Sequence, residues 1–219
     1  MLTLASASTD WISAIANVFA AVGTVGAVIV ALFPHQIRNW IWPPSAVVEL
    51  VDPAGDATYI NGTQRVYLFH LRVRNSSEHR GLHGCAVFLE EVSTRTADGV
   101  WRSVRLPVPV TLRWAPMELM PLQIDVQPGS EATADLVWFR ELPDLKAAVV
   151  QPVLATYPAN FPGSLTSEGA MRYHLALRAN ELTHPVRTTI EVEWNGKWPH
   201  NPNALTSALA IRRISAVAG

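Results

Sequence analysis

The hydrophobic positions along the chain change their period once, near residue 45. Ahead of that point an uncharged run extends from Ile12 to Phe33, 22 residues in which the polar side chains are Ser13, Asn17 and Thr24. As a helix it would rise about 33 Å, at about 1.5 Å per residue, against a bilayer hydrocarbon core of about 30 Å. A core helix of that length carries a polar stripe, and this one has none. A cleaved signal peptide opens with basic residues and has an apolar run of about 7–15 residues. No Lys or Arg precedes Ile12, and the run is longer. The pattern predicts a single transmembrane helix, with an end or kink at Pro34.

Beyond residue 45 the period is two. Tyr67, Phe69, Leu71 and Val73 alternate with His70, Arg72 and Arg74, with Val66 and Leu68 as exceptions. Tyr173, Leu175 and Leu177 alternate with Arg172, His174 and Arg178; Ile190, Val192 and Trp194 with Thr189, Glu191 and Glu193; Val108, Val110, Leu112 and Trp114 with Pro109, Thr111 and Arg113. This is the alternation of half-buried strands. Further strands are expected at 46–52, 84–92, 121–126, 131–139 and 148–156. Asn61-Gly62, Asp98-Gly99 and Asn195-Gly196 are hairpin dipeptides, and Pro128-Gly129 reads as another turn. Stretches 140–147 and 157–170 read as loops, and the tail from Asn203 favours a short helix over a last edge strand. About eight or nine strands joined by turns, without alternating helices, predict a mainly β fold. Most strands have one wet face, which favours an antiparallel β-sandwich. The expected organisation is an N-terminal segment with its helix (1–33), a membrane-proximal linker (34–45) closed by Pro43-Pro44, and a β-sandwich domain with a C-terminal tail (46–219).

Charge and composition narrow the partners. Lys plus Arg number 17 against 18 Asp plus Glu, so the basic footprint of a nucleic-acid binder is missing and no nucleic-acid partner is expected. Arg38 follows the helix and no basic residue precedes it. The positive-inside rule then places the β-domain in the cytoplasm, on an inner (cytoplasmic) membrane crossed once. Trp11, Trp40 and Trp42 flank the span where indoles favour the lipid–water boundary. Ala16, Ala20, Gly23 and Ala27 share one helix face and would permit close helix–helix packing, hence a homo-oligomer formed through the span.

Candidate chemistry is sparse. His79, His83 and Cys85 supply metal-ligating types, but in a glycine-containing loop with no fourth ligand at hand, so no metal or cofactor is expected. Cys85 reads as a small inward residue beside Val87 and Leu89. His70 and His174 read as solvated on outward strand faces. Glu90 and Glu91, as neighbours on a strand, point to opposite faces and cannot act together. Glu191 and Glu193 share a face as a solvated pair. No nucleophile elbow or phosphate loop is present, so catalytic activity is not expected. Asn61 and Asn75 head glycosylation sequons that read as a turn and a strand end in a cytoplasmic chain. Of the 8 tryptophans, Trp114, Trp138 and Trp194 fit strand interiors, and Trp101 and Trp198 fit core edges near turns.

The segments AVGTVGAVIVALF, NWIW, LRVRN, IDVQPG and EVEWNGKW, in that order, resemble a set of uncharacterised bacterial membrane proteins. These have one N-terminal span, a Trp-rich membrane-proximal segment and a C-terminal immunoglobulin-like β-domain. The resemblance implies that fold and location and no activity. Many immunoglobulin domains hold a disulfide between their sheets; with one cysteine, the resemblance implies a disulfide-free variant. The expected role is a membrane-anchored module that binds another protein. The alternative is a membrane effector of a bacterial stress or phage-defence system, with the β-domain as sensor.

Overall fold

The computed structural model describes residues 4–34, 37, 41, 43–60, 64–115, 121–142, 147–199 and 201–214. The chain divides into two compact units, Met1–Pro43 and Pro44–Gly219. In the first, helix α1 spans Leu4–Leu32. Its stretch Trp11–Leu32 is long and apolar enough to cross a membrane, and every side chain in it is exposed. Thr24 Oγ1 donates back to the Ala20 carbonyl at 2.8 Å, which removes its polarity from the helix surface. α1 ends at Leu32, and helical hydrogen bonds continue around Pro34, from Phe33 N–H to the Ile29 carbonyl at 2.9 Å and from Ile37 N–H to the Phe33 carbonyl at 3.1 Å, so the proline marks an interruption of the helix and not the end of helical chain. Arg38, Trp40 and Trp42 lie outside the described residues.

The second unit is a β-sandwich of two antiparallel sheets. One is five-stranded: β1 (Ala46–Leu50), β3 (Gln64–Asn75), β7 (Glu131–Leu142) and β8 (Ala147–Pro152) in that order, with β2 (Asp56–Ile60) also on β3. The other is six-stranded: β11 (Leu209–Ile214), β10 (Val186–Trp194), β9 (Gly169–Arg178), β4 (Leu82–Arg95) and β5 (Trp101–Thr111), with β6 (Ile124–Val126) also on β4. The long strands β3 and β4 each serve two partners on one side. β2 takes the first half of β3 and β1 the second; β6 takes the start of β4 and β5 the rest.

The inward set follows the period-two pattern. Tyr67, Phe69, Leu71 and Val73 face Cys85, Val87, Leu89, Tyr173, Leu175 and Val192 across a buried core. Trp114 and Trp194 fill it, and Tyr67, Phe139, Trp194 and Trp198 form an aromatic group with ring centroids 4.7–5.5 Å apart along Phe139–Trp198, Phe139–Trp194 and Tyr67–Trp198. Trp198 therefore covers a core edge. Trp138 turns outward opposite Leu68 and is half-buried beneath the Arg140 guanidinium, 4.3 Å from its ring, where a strand-interior position was expected.

Four strand features depart from the sequence pattern. β2 is an additional strand, short and largely exposed. β5 begins at Trp101, ahead of the expected start at Val108, and Val108 is 70% exposed instead of inward. The reason is a bulge: pairing jumps from Leu89↔Val110 to Glu91↔Arg105, leaving the proline-flanked Val108 without a partner on an edge strand that tolerates proline. The tail makes a single turn of helix at Leu205–Ala208 and then strand β11, so the helical reading covers its first part only. β7 runs on to Leu142, into the stretch expected as a loop. Of the four turn dipeptides, Asp98-Gly99 joins β4 to β5 and Pro128-Gly129 joins β6 to β7. Asn195-Gly196 opens a long connection to β11 instead of a hairpin, and Asn61-Gly62 lies outside the described residues.

Candidate functional site

The outward face of the six-stranded sheet concentrates the polar chemistry of the domain. β9 contributes Arg172, His174 and Arg178, because Met171, Tyr173, Leu175 and Leu177 take the core side. β10 contributes Arg187, Thr189, Glu191 and Glu193 by the same alternation. On β4 the same shift between Leu89 and Glu91, present also in the pairing with β9, changes the phase: Leu89 and Val92 both point inward, and Glu90 and Glu91 both emerge on the outer face. The expectation that these two glutamates face opposite ways is thereby corrected, since a bulge places two residues opposite one.

Two arginine–glutamate clusters occupy this face. Glu90 reaches Arg178 at 2.7 Å and Arg187 at 3.4 Å. Glu191, only 3% exposed, accepts from Arg172 Nε at 2.8 Å and Arg212 Nε at 2.9 Å. Burial raises the pKa of both carboxyls, and the guanidiniums outweigh it, holding each below its ordinary value. Glu193 bridges Arg95 at 2.5 Å and Arg212 at 3.8 Å. Glu191 and Glu193 are therefore tied into a network, in place of the solvated pair expected. Trp101 lies under it, with the Arg172 guanidinium 3.8 Å and the Arg95 guanidinium 6.0 Å from its ring.

Between the clusters a hydrogen-bonded chain crosses four strands. Ser103 Oγ lies 2.7 Å from Ser93 Oγ, Ser93 Oγ 2.8 Å from His174 Nε2, and His174 Nδ1 3.1 Å from Thr189 Oγ1. Burial lowers the pKa of His174, which Glu91 opposes and Arg172 reinforces, so the ring is neutral and can donate at one nitrogen and accept at the other. Ser93 is 2% exposed, which keeps its hydroxyl from meeting a substrate. An open cleft of about 760 Å³ lies at one end of this face, lined by Arg95, Glu168, Glu193, Asn195 and Ser207 among others.

The other sequence candidates lie elsewhere. His70 is half-buried on β3, its Nδ1 3.0 Å from Asp135 Oδ1 and its Nε2 3.4 Å from Asp56. A bulge at Leu136 turns Asp135 to face it. The Asp135 carboxylate raises the His70 pKa, burial lowers it, and the two aspartates prevail. Both His70 and His174 thus differ from the solvated rings expected. His83 is held by Glu181, ring nitrogen to carboxylate at 2.7 Å, and its backbone N–H donates to the other oxygen at 2.8 Å. Cys85 is buried beside Val87, and burial pushes its thiol up to about 11. Among the described residues no group of three His, Cys, Asp or Glu side chains is placed to hold a metal ion. Asn75 is fully buried and its amide donates to the carbonyls of Arg80, Val126 and Gln127, so it is structural, while Asn61 lies outside the described residues. Trp11 is exposed, as are Ala16, Ala20, Gly23 and Ala27 along the helix.

Compared with known proteins, the sequence matches no family model and no curated protein.

Proposed function

We propose that this chain is a membrane-anchored β-sandwich that binds another protein. The observation that carries the reading is the Trp101 platform: an indole held under two guanidiniums, with both arginines fixed by glutamates. Trp and Arg are the residue types that dominate binding energy at interfaces. Holding them in place before contact reduces the ordering cost of association. The exposed 22-residue stretch Trp11–Leu32 of α1, uncharged and long enough to cross a bilayer, supports the anchor. The cytoplasmic side of an inner membrane is favoured by Arg38. The role is non-catalytic.

The test is detergent extraction of the full chain and co-purification. A stoichiometric protein, reduced by Trp101→Ala and unaffected by Trp138→Ala, is the expected result. The full chain emerging alone under mild detergent at low salt would overturn the reading. A second reading, a membrane effector whose span associates, rests on the small residues Ala16, Ala20, Gly23 and Ala27 sharing one face of α1. Growth arrest that depends on the span would select it.

A further inference from the structure

We propose that the open edge of β5, from Trp101 to Arg105, takes an added strand from an acidic extended segment of the partner protein. The proposal rests on the interaction-module reading above and names its surface and the chemistry of its occupant. β5 ends the six-stranded sheet, and among the described residues β4 is its one partner along this stretch. Thr96 N–H donates to the Val100 carbonyl at 2.9 Å, which sets the phase of the ladder. With Thr96 and Val100 bonded, the residues bonded to β4 are Arg102 and Val104. The N–H and C=O groups of Trp101, Ser103 and Arg105 then point away from β4, to the open side. Such a row is the template that strand addition uses.

The charge of the edge selects the occupant. Arg102 and Arg105 form no ion pair among the described residues. Arg95, Arg172, Arg178, Arg187 and Arg212, on the adjoining face, each reach a glutamate. β5 itself contains no carboxylate. Between the two free guanidiniums Val104 is 50% exposed. An antiparallel strand laid here places one residue opposite Arg105, the next opposite Val104, and the third after the first opposite Arg102. The matching pattern is acidic–apolar–any–acidic. Pro107 and the bulge at Val108 close the edge at its far end, so the added strand is short.

A second copy of this edge fits less well, because it would bring the same two cations of each chain together without an anion. A flat anionic lipid surface also fits less well. Arg102 and Arg105 are three residues apart on a strand and point to opposite faces, so one plane does not meet both.

The test uses the full chain in zwitterionic nanodiscs and a labelled synthetic peptide, Thr-Glu-Val-Thr-Glu-Phe-Thr, read by fluorescence anisotropy. The control peptide carries Lys in place of Glu. Two variants probe the edge. Ser103→Pro removes an outward N–H without taking a backbone hydrogen bond from β4, with Ser103→Ala as the control for the lost Ser93–Ser103 hydroxyl contact, and Arg102→Glu with Arg105→Glu reverses the charge. The expected result is binding of the acidic peptide alone, weakened at least about tenfold by either variant, with slowed hydrogen exchange over 101–105 in the parent complex. Equal affinity for parent and charge-reversed chain would overturn the proposal, as would no binding of the acidic peptide. Capture by phosphatidylglycerol vesicles in place of peptide would assign the edge to lipid and overturn it too. Failure of the edge is distinguishable from failure of the module: a native partner that co-purifies equally with parent and both variants refutes the edge alone.

Discussion

Removing the Glu191 charge is the sharpest perturbation of the outer face. Glu191 is 3% exposed and is shared by two arginines whose side chains are 31% (Arg172) and 61% (Arg212) exposed. Glu191→Gln keeps the shape and removes the charge. Arg172 is the less hydrated partner, so losing its charged hydrogen bond costs about 1.5–3 kcal/mol. Arg212 rehydrates readily, and its share is that of a surface pair, about 0.5 kcal/mol. The sum, about 2–3.5 kcal/mol, lies at or below the lower part of the 3–5 kcal/mol typical of breaking a fully buried pair, as it should when both cations still reach water. For a domain of this size that corresponds to a fall in Tm of about 4–14 °C. The assay is a thermal melt followed by tryptophan fluorescence, with Glu193→Gln as the control. Glu193 is 41% exposed, and its loss is expected to cost under about 1 kcal/mol. The penalty also has a pH signature. The folded-state pKa of Glu191 is depressed, so its stabilisation is present above the unfolded value, about 4.3, and is lost as pH falls through the folded value. Parent and Glu191→Gln melts should therefore converge at acid pH. Equal losses from Glu191→Gln and Glu193→Gln at neutral pH, or a gap unchanged at acid pH, would refute the reasoning.

Three further outcomes follow from the same physics. The folded pKa of His70 is raised by Asp135, so its contribution is complete below the unfolded value, about 6.5, and fades as pH rises through the folded one; the parent melt should fall across that window and His70→Gln should flatten it. Cys85, buried and pushed up to about 11, should resist thiol reagents at pH 8 in the folded chain and react at once in denaturant. In a membrane two-hybrid assay Gly23→Ile should lower self-association of the span and Val22→Ile should leave it unchanged; equal signals from both variants and the parent, or none from any, would remove self-association and weaken the effector reading.

The strands that were legible are those whose two faces meet different solvents. β3, β9 and β10 each have a core face and a wet face, and their alternation is plain. β2 and the first half of β5 sit on edges, where residues such as Tyr59 (58% exposed) and Val104 (50% exposed) meet water on both sides, and their sequences carry no period. The bulges were illegible for a different reason. One extra residue reverses the phase of a period-two pattern, and the reversal is set by the partner strand. The outward pairing of Glu90 with Glu91 and the aim of Asp135 at His70 both depend on such reversals. His174 sits on the face that alternation assigned it, and only the neighbours Ser93 and Thr189, far away in sequence, make it part of a chain. Among the described residues, the helix was legible because uncharged length is a local property, whereas the outer-face network is assembled from four strands.

The central place of β4 has a consequence for how the domain is made. Its hairpin with β5 closes over the loop Ala97–Gly99, with Gly99 at φ +83, and hairpins of this kind form in about 1–10 μs. Its other neighbour, β9, begins at Gly169, so that pairing waits for a long loop to close, a step that places β-rich folds in the range of milliseconds to seconds. During that interval the hairpin exposes two raw edges instead of one, at the stage when nascent β-proteins aggregate. Glu90, Glu91 and Arg95 on β4, with Arg102 and Arg105 on β5, put charge on both edges of the unfinished hairpin. Charges so placed disfavour pairing with uncharged or basic strands before β9 arrives to cover one side.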